Sequence, residues 1–372
     1  MTRPLALIAL IGFLLSPFSP PAGATTTHQL SLGLVSITPI ASDLEEAWAV
    51  AFLPEGEFLV TLRGGTMLRF DSQANPSPIS GVPEVYARGQ GGLLDVLVPA
   101  DFADTQEIFF TFAKPQANNQ AGTALARARL INNRLENLTI IWEMDRGSRG
   151  GRHFGSRIVE GADGYLYITI GDRADRPSAQ NLNTSHGSVL RLSRDGLPPP
   201  DNPFHNTPNA KPEIWSYGHR NAQGAALDAN QQLWVIEHGA QGGDEVNRVI
   251  KGANYGWPVI AYGRHYSGAK IGSGTHAPGM QQPAFYWDPS IAPSGAAFYT
   301  GAMFPEWHGD LLVGALKYDL ISRLEVAPDG SMQEAERIAN DQTWRVRDVR
   351  VAPDGSIWFI SVAHKTLYSL AR

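Results

Sequence analysis

The chain has 372 residues, a formal charge of −6, 18% charged residues and no cysteine. Positive charge is dispersed with no Lys/Arg-rich run, which argues against nucleic acid as a partner, and the lack of cysteine excludes disulfides and thiolate-bound metal. With 38 glycines and 26 prolines, many turns and short strands are expected rather than long amphipathic helices.

Arg3, the apolar run Leu5 to Leu15 and the small-residue triplet Ala22-Gly23-Ala24 follow the pattern of an export signal. Eleven apolar residues are too few for a bilayer core, which takes about 20. Cleavage is expected after Ala24, leaving residues 25–372 as a soluble periplasmic or secreted protein with no integral membrane segment.

Beyond that point one unit recurs: an alternating strand, a turn rich in Pro, Asp, Gly or Asn, and a strongly apolar strand. It occurs at Ala49–Thr61, Leu94–Phe112, Arg157–Asp172, Ala225–Gly239, Ala296–Leu316 and Val349–Val362. Each copy reads as a β-hairpin. Six copies at intervals of roughly 45 to 70 residues indicate a repeat architecture. A single hairpin cannot bury both its faces, whereas radial packing about an axis can. The predicted fold is therefore all-β, a single six-bladed β-propeller over residues 25–372, with four-stranded antiparallel blades and long loops on one face. A sandwich is the alternative, but its strands recur without this longer period. Residues 25 to about 40 are expected to supply the strand that closes the ring, and the Pro-rich stretch Leu197–Pro203 reads as a loop.

Polar clusters flank these hairpins. Gly151-Arg152-His153-Phe154-Gly155 sets a histidine among glycines before a strand, a position that suits either a base or a structural histidine. His219-Arg220-Asn221 precedes the fourth hairpin, and Glu237-His238-Gly239-Ala240-Gln241-Gly242-Gly243-Asp244-Glu245 follows it. The latter suits a Ca²⁺ loop, since calcium takes oxygen ligands, or a flexible acidic turn. Lys317 follows the fifth hairpin, and Arg345 and Arg347 precede the sixth, where alternation along a strand would point both arginines the same way. There is no HExxH for zinc, no GxGxxG opening a helix, and no GxSxG nucleophile elbow.

In chain order these clusters resemble the soluble glucose and aldose sugar dehydrogenases that use pyrroloquinoline quinone (PQQ). The matching stretches are Gly89–Val96, Gly151–Val159, Ser216–Gly224, Glu237–Glu245, Lys251–Pro258, Ile291–Gly295 and Arg345–Val349. The resemblance implies a six-bladed propeller that oxidises the C1 hydroxyl of an aldose. His153 then corresponds to the general base and Arg220 to the residue polarising the quinone carbonyl. Asn221 and Gln90 correspond to cofactor- and base-orienting positions, and Gln90 also to a substrate contact. Tyr266, Lys317, Arg345 and Arg347 correspond to PQQ contacts. Gly239 and Ala240 would offer backbone carbonyls to a Ca²⁺ bridging to PQQ, with Glu245 and the Tyr255 carbonyl at a second ion. Trp287, beside Ile291–Gly295, would stack on the sugar or pack in the core.

Arg152, His238 and Ala240 depart from the glucose-selective pattern, so the resemblance leans to the broad-specificity aldose branch. The electron acceptor is unidentified, and either a monomer or a dimer is compatible. Two other readings stay open: a calcium-dependent propeller lactonase, and a propeller that binds a ligand without catalysis.

Overall fold

The computed structural model describes residues 23–372; the expected export segment lies, but for Gly23 and Ala24, outside them. Six antiparallel sheets are arranged as blades. Their innermost strands are Ala47–Phe52, Leu93–Leu97, Gly155–Glu160, Ala222–Leu227, Pro293–Phe298 and Val346–Val351. Each lies beside the next, and the sixth returns to the first. The six recurring hairpins are the two inner strands of each blade.

Outer strands are shorter or less regular. Pro76–Ile79 carries two prolines and Phe285–Trp287 has three residues, as edge positions allow. Ring closure falls to Gly33–Ala41, which pairs with Thr366–Ala371 as the fourth strand of blade six. Thr26–Leu30 adds a fifth strand outside it, one more than expected. Leu197–Pro203 is a run of turns within the loop between Ser188–Leu192 and Ile214–Tyr217. Among the described residues no helix is long and apolar enough to cross a membrane.

The core is divided among the blade interfaces. Trp48, Leu59 and Met67 of blade one pack with Phe110 and Phe112 of blade two, and Tyr299, Phe304 and Trp307 of blade five pack with Phe359 and Tyr368 of blade six. Similar clusters fill the other interfaces. Each buried large apolar side chain contributes about 1.5–3 kcal/mol, so stability rests on every blade having both neighbours.

Two devices shape the axis. First, every inner strand carries a β-bulge near its start, and such bulges re-aim side chains. Buried threonines pin three of them. Thr61, Thr111 and Thr169 each accept the N–H of their own inner strand, from Ala49, Asp95 and Arg157. Each then donates to the next blade, at the carbonyls of Leu94, Ser156 and Ala222. Second, Arg157 and Arg350 interlock with Asp95 and Asp348 at N–O separations of 2.9–3.1 Å. Asp95 also accepts Ile158 N–H and Asp348 accepts Val50 N–H, so the ion group ties together blades one, two, three and six.

Candidate functional site

Each inner strand starts on one face of the ring, and the loops that carry the polar clusters lie there. His153 enters its strand in a left-handed backbone (φ 53°), with glycines at 151 and 155 also at positive φ. Gly155 has no alternative: a Cβ there would sit 2.6 Å from the Thr169 carbonyl. The loop is held by two side-chain amides from the loops of the neighbouring blades. Gln90 Oε1 accepts the His153 N–H at 2.7 Å, and Asn221 Oδ1 accepts the Gly155 N–H at 3.1 Å. A left-handed non-glycine residue over-determined in this way is characteristic of functional positions.

The His153 ring contacts Asp172, whose Oδ1 lies 2.5 Å from Nδ1. Asp172 is fully buried at 0% exposure. It also accepts the Ala174 N–H at 2.7 Å and the Trp257 indole N–H at 2.8 Å. Burial pushes the carboxyl pKa up, but His153, Arg220 and the Ala174 amide outweigh it and keep it below the ordinary value. Burial lowers the His153 pKa, Asp172 counters this, and Arg220 and Arg173 add to the lowering. The imidazole is therefore neutral near pH 7. A proton shared with Asp172 at Nδ1 leaves Nε2 as the free basic nitrogen.

Arg220 is buried, with its backbone N–H on Glu237 Oε2 at 2.6 Å and Nη1 on the His238 carbonyl at 3.1 Å. Its Nε and the Asn221 Nδ2 are buried with no partner. Buried donors of this kind ordinarily have one. Arg347 donates to Gln223 Oε1 at 2.6 Å. Burial, with Arg63, Arg157 and Arg345 nearby, pushes its pKa down to about 9, so this end of the site is electropositive and suits an anion. Lys317 is exposed on the adjoining loop, its Nζ over the Tyr318 ring. Arg345 reaches the Leu316 carbonyl at 3.1 Å.

Two expectations need correction. Arg345 and Arg347 do not share a strand face by simple alternation. Arg345 precedes the strand with φ 53°, and the bulge between Val346 and Asp348 shifts the register. Trp287 does not stack toward a ligand. At 2% exposure it packs in the core between blades four and five, with its N–H on Glu334, because it lies on an outer strand. Tyr266 is 76% exposed in the long segment between Arg248 and Phe285, near enough to act on the charge of Arg220.

The four expected metal positions come together. Gly239, Ala240, Glu245 and Tyr255 line a void of about 20 Å³, with Arg220, Glu237 and Trp257. Burial, with Glu237 beside it, pushes Glu245 up to about 8. Among the described residues no three His, Cys, Asp or Glu side chains form a metal cluster. The expected set is mostly backbone carbonyls, which such a cluster would not include.

Asp172 and Trp257 are functional candidates to which the sequence alone assigned no role, Asp172 standing out there only as one of the few acidic residues near the channel motifs. Asp172 ends the apolar strand segment Leu166–Ile170 two residues on, a carboxylate at a strand's mouth, which is the available signal. Trp257 gives none, as it reaches Asp172 from 85 residues away.

Residues 44–368 match the family model described as Glucose / Sorbosone dehydrogenase. The chain is 42% identical to the Aldose sugar dehydrogenase YliI of Escherichia coli (strain K12), over 88% of this chain and 90% of that one. It is 27% identical to Quinoprotein glucose dehydrogenase B of Acinetobacter calcoaceticus, over 86% and 84%. The fold superposes on the apo-form of the soluble aldose sugar dehydrogenase of Escherichia coli with a TM-score of 0.87 at 39% identity, covering 91% and 99%. It superposes on the PQQ-bound aldose sugar dehydrogenase of Streptomyces coelicolor with a TM-score of 0.75 at 26% identity, covering 95% and 99%. The propeller, the ordered polar loops around its mouth and these matches lead to one assignment: the chain belongs to the glucose/sorbosone dehydrogenase family of oxidoreductases.

Proposed function

We propose that this chain is an exported PQQ- and calcium-dependent dehydrogenase that oxidises the C1 hydroxyl of aldoses to lactones. The observation that carries the reading is the pairing of a neutral histidine base, backed by a buried carboxylate, with partnerless donors and clustered cations at the same channel mouth.

Arg220 Nε, Asn221 Nδ2 and the Arg347 group fit an anionic, carbonyl-bearing ligand such as PQQ, which Lys317, Arg345 and Tyr266 would also help to hold. The Gly239–Ala240 carbonyls, Glu245 and the Tyr255 carbonyl fit Ca²⁺, a hard ion that prefers oxygen. When bound, PQQ supplies a two-electron acceptor for the C1 hydride, and calcium supplies positive charge beside it.

The residues of the chain do the rest. His153 Nε2 takes the proton from the sugar's C1 hydroxyl, as a base with a pKa below the working pH can. Asp172 holds Nδ1–H, fixes the ring's tautomer and stabilises the imidazolium that forms. Arg220 holds a permanent positive charge where negative charge develops. Gln90 and Asn221 keep the base loop still.

The test is reconstitution of the apo-protein with PQQ and Ca²⁺, followed by reduction of an artificial acceptor across an aldose panel. Turnover is expected, and chelation should abolish it. His153→Ala should keep the bound quinone absorbance and lose turnover by orders of magnitude. Quinone bound in the wild type with no oxidation of any aldose would overturn the reading.

A further inference from the structure

Trp257 joins the two halves of the site. Its N–H donates to the Asp172 oxygen that His153 does not use, at 2.8 Å. Its ring centroid lies 5.4 Å from the Arg220 guanidinium and 5.5 Å from that of Arg176. The indole is buried and its backbone is pinned. Trp257 N–H donates to the Gly218 carbonyl, and the Trp257 carbonyl accepts Gln180 Nε2, both at 2.8 Å. The segment ahead of it is tied too, since Tyr255 N–H donates to the Tyr217 carbonyl at 2.8 Å. The strand end that leads into Arg220 therefore also places the indole.

We propose that Trp257 is a positioning residue for the His153–Asp172 pair: its indole N–H holds the second oxygen of Asp172, and so sets both the plane of the carboxylate and the share of its charge that reaches His153. A carboxylate oxygen with a donor is a weaker proton acceptor than one without. Trp257 thus keeps His153 neutral and unprotonated until substrate presents its proton, while Asp172 still stabilises the imidazolium afterwards. The role in turnover rests on the dehydrogenase reading above; the effect on His153 does not. The other charged groups facing the pair are Arg220 and Arg173, with His238 also close enough to act on His153, His186 close enough to act on Asp172, and Arg176 against the indole. All remain in the test variant.

The test is Trp257→Phe, which keeps an aromatic ring and removes the N–H. His153 is titrated by NMR in protein without PQQ or sugar. Its pKa should rise by about half a unit to one unit, because Asp172 then offers it more charge. In the Asp172→Asn background the same substitution should leave His153 unmoved. In reconstituted enzyme the acidic limb of the rate profile should shift to higher pH by the same amount. Turnover at the pH optimum should fall by about tenfold with KM for the sugar nearly unchanged, because the carboxylate that orients the base is no longer held in its plane. An unchanged His153 pKa in Trp257→Phe, or an equal shift in the Asp172→Asn background, would overturn the proposal. If the wild type oxidises no aldose but the His153 shift appears, the functional reading fails and this one stands. Should the phenylalanine variant not fold, benzothienylalanine at 257 keeps the bicyclic ring without the N–H and serves for the same titration.

Discussion

Asp172→Asn isolates the contribution of the buried carboxylate. The side chain keeps its size and its room beside His153, but two things change. The imidazolium formed on proton abstraction loses a charge-assisted hydrogen bond at 2.5 Å to a fully buried carboxylate, worth about 1.5–3 kcal/mol. The asparagine amide can also donate to Nδ1, which moves the ring proton to Nε2 and removes the basic nitrogen from the channel. That second effect adds about 1–2 kcal/mol, for a total of about 2.5–5 kcal/mol, or a fall of roughly 70- to 5,000-fold in kcat. The pH profile carries a second signature. Asp172 raises the His153 pKa against burial, so its loss should move the acidic limb to lower pH even as the maximum falls. The assay is acceptor reduction at saturating aldose from pH 4 to 9, with bound quinone measured by absorbance. A variant within about threefold of wild type (about 0.65 kcal/mol), with quinone bound, would refute the dyad.

Three further outcomes are expected. Arg347→Gln should raise the PQQ dissociation constant by about 10- to 100-fold, the loss of one charged hydrogen bond. Fluorescence titration with the quinone checks this. Thr111→Val leaves the Asp95 N–H and the Ser156 carbonyl buried without their partner, and should cost about 2–4 kcal/mol in denaturant unfolding. His186 is pushed down to about 4 by burial, so below its ordinary value of 6.5 the unfolded chain takes a proton that the folded chain refuses. Its contribution is whole above pH 6.5 and is lost toward pH 4, by up to about 3 kcal/mol; His186→Asn should flatten that part of the stability curve.

The inner half of every blade was legible because its strands are apolar and the connections between them are rich in turn-forming residues. The Asp228 side chain, for example, caps the turn between the inner strands of blade four by accepting the N–H groups of Asn230 and Gln232. The outer strands were less legible, since Pro76–Ile79 and Phe285–Trp287 are defined by the edge they cover and not by their own pattern. Polar clusters could be found because every inner strand begins on the loop face, so residues just ahead of it gather at one mouth. Nearness in sequence misled at Trp287, which sits six positions before the inner strand but on the outside of the preceding blade. The same limit hid Trp257: its partner is in the neighbouring blade, and no local pattern encodes a hydrogen bond between blades. Arg345 shows a subtler failure, because a left-handed residue and a bulge break the alternation that the pair's spacing implied.

The pairing of Gly33–Ala41 with Thr366–Ala371 also has a kinetic consequence. Ser36 meets Ala371 across nearly the entire chain, and a contact of such sequence separation is expected to form late. Until then blade six lacks its outer strand, and the ring can still open at its junction with blade one. The bulges that aim the site residues are pinned from blade to blade, so an open ring would hold them loosely. Refolding should therefore regain most β-sheet signal before it regains ligand binding, and the interval between the two would time the last turn of the ring.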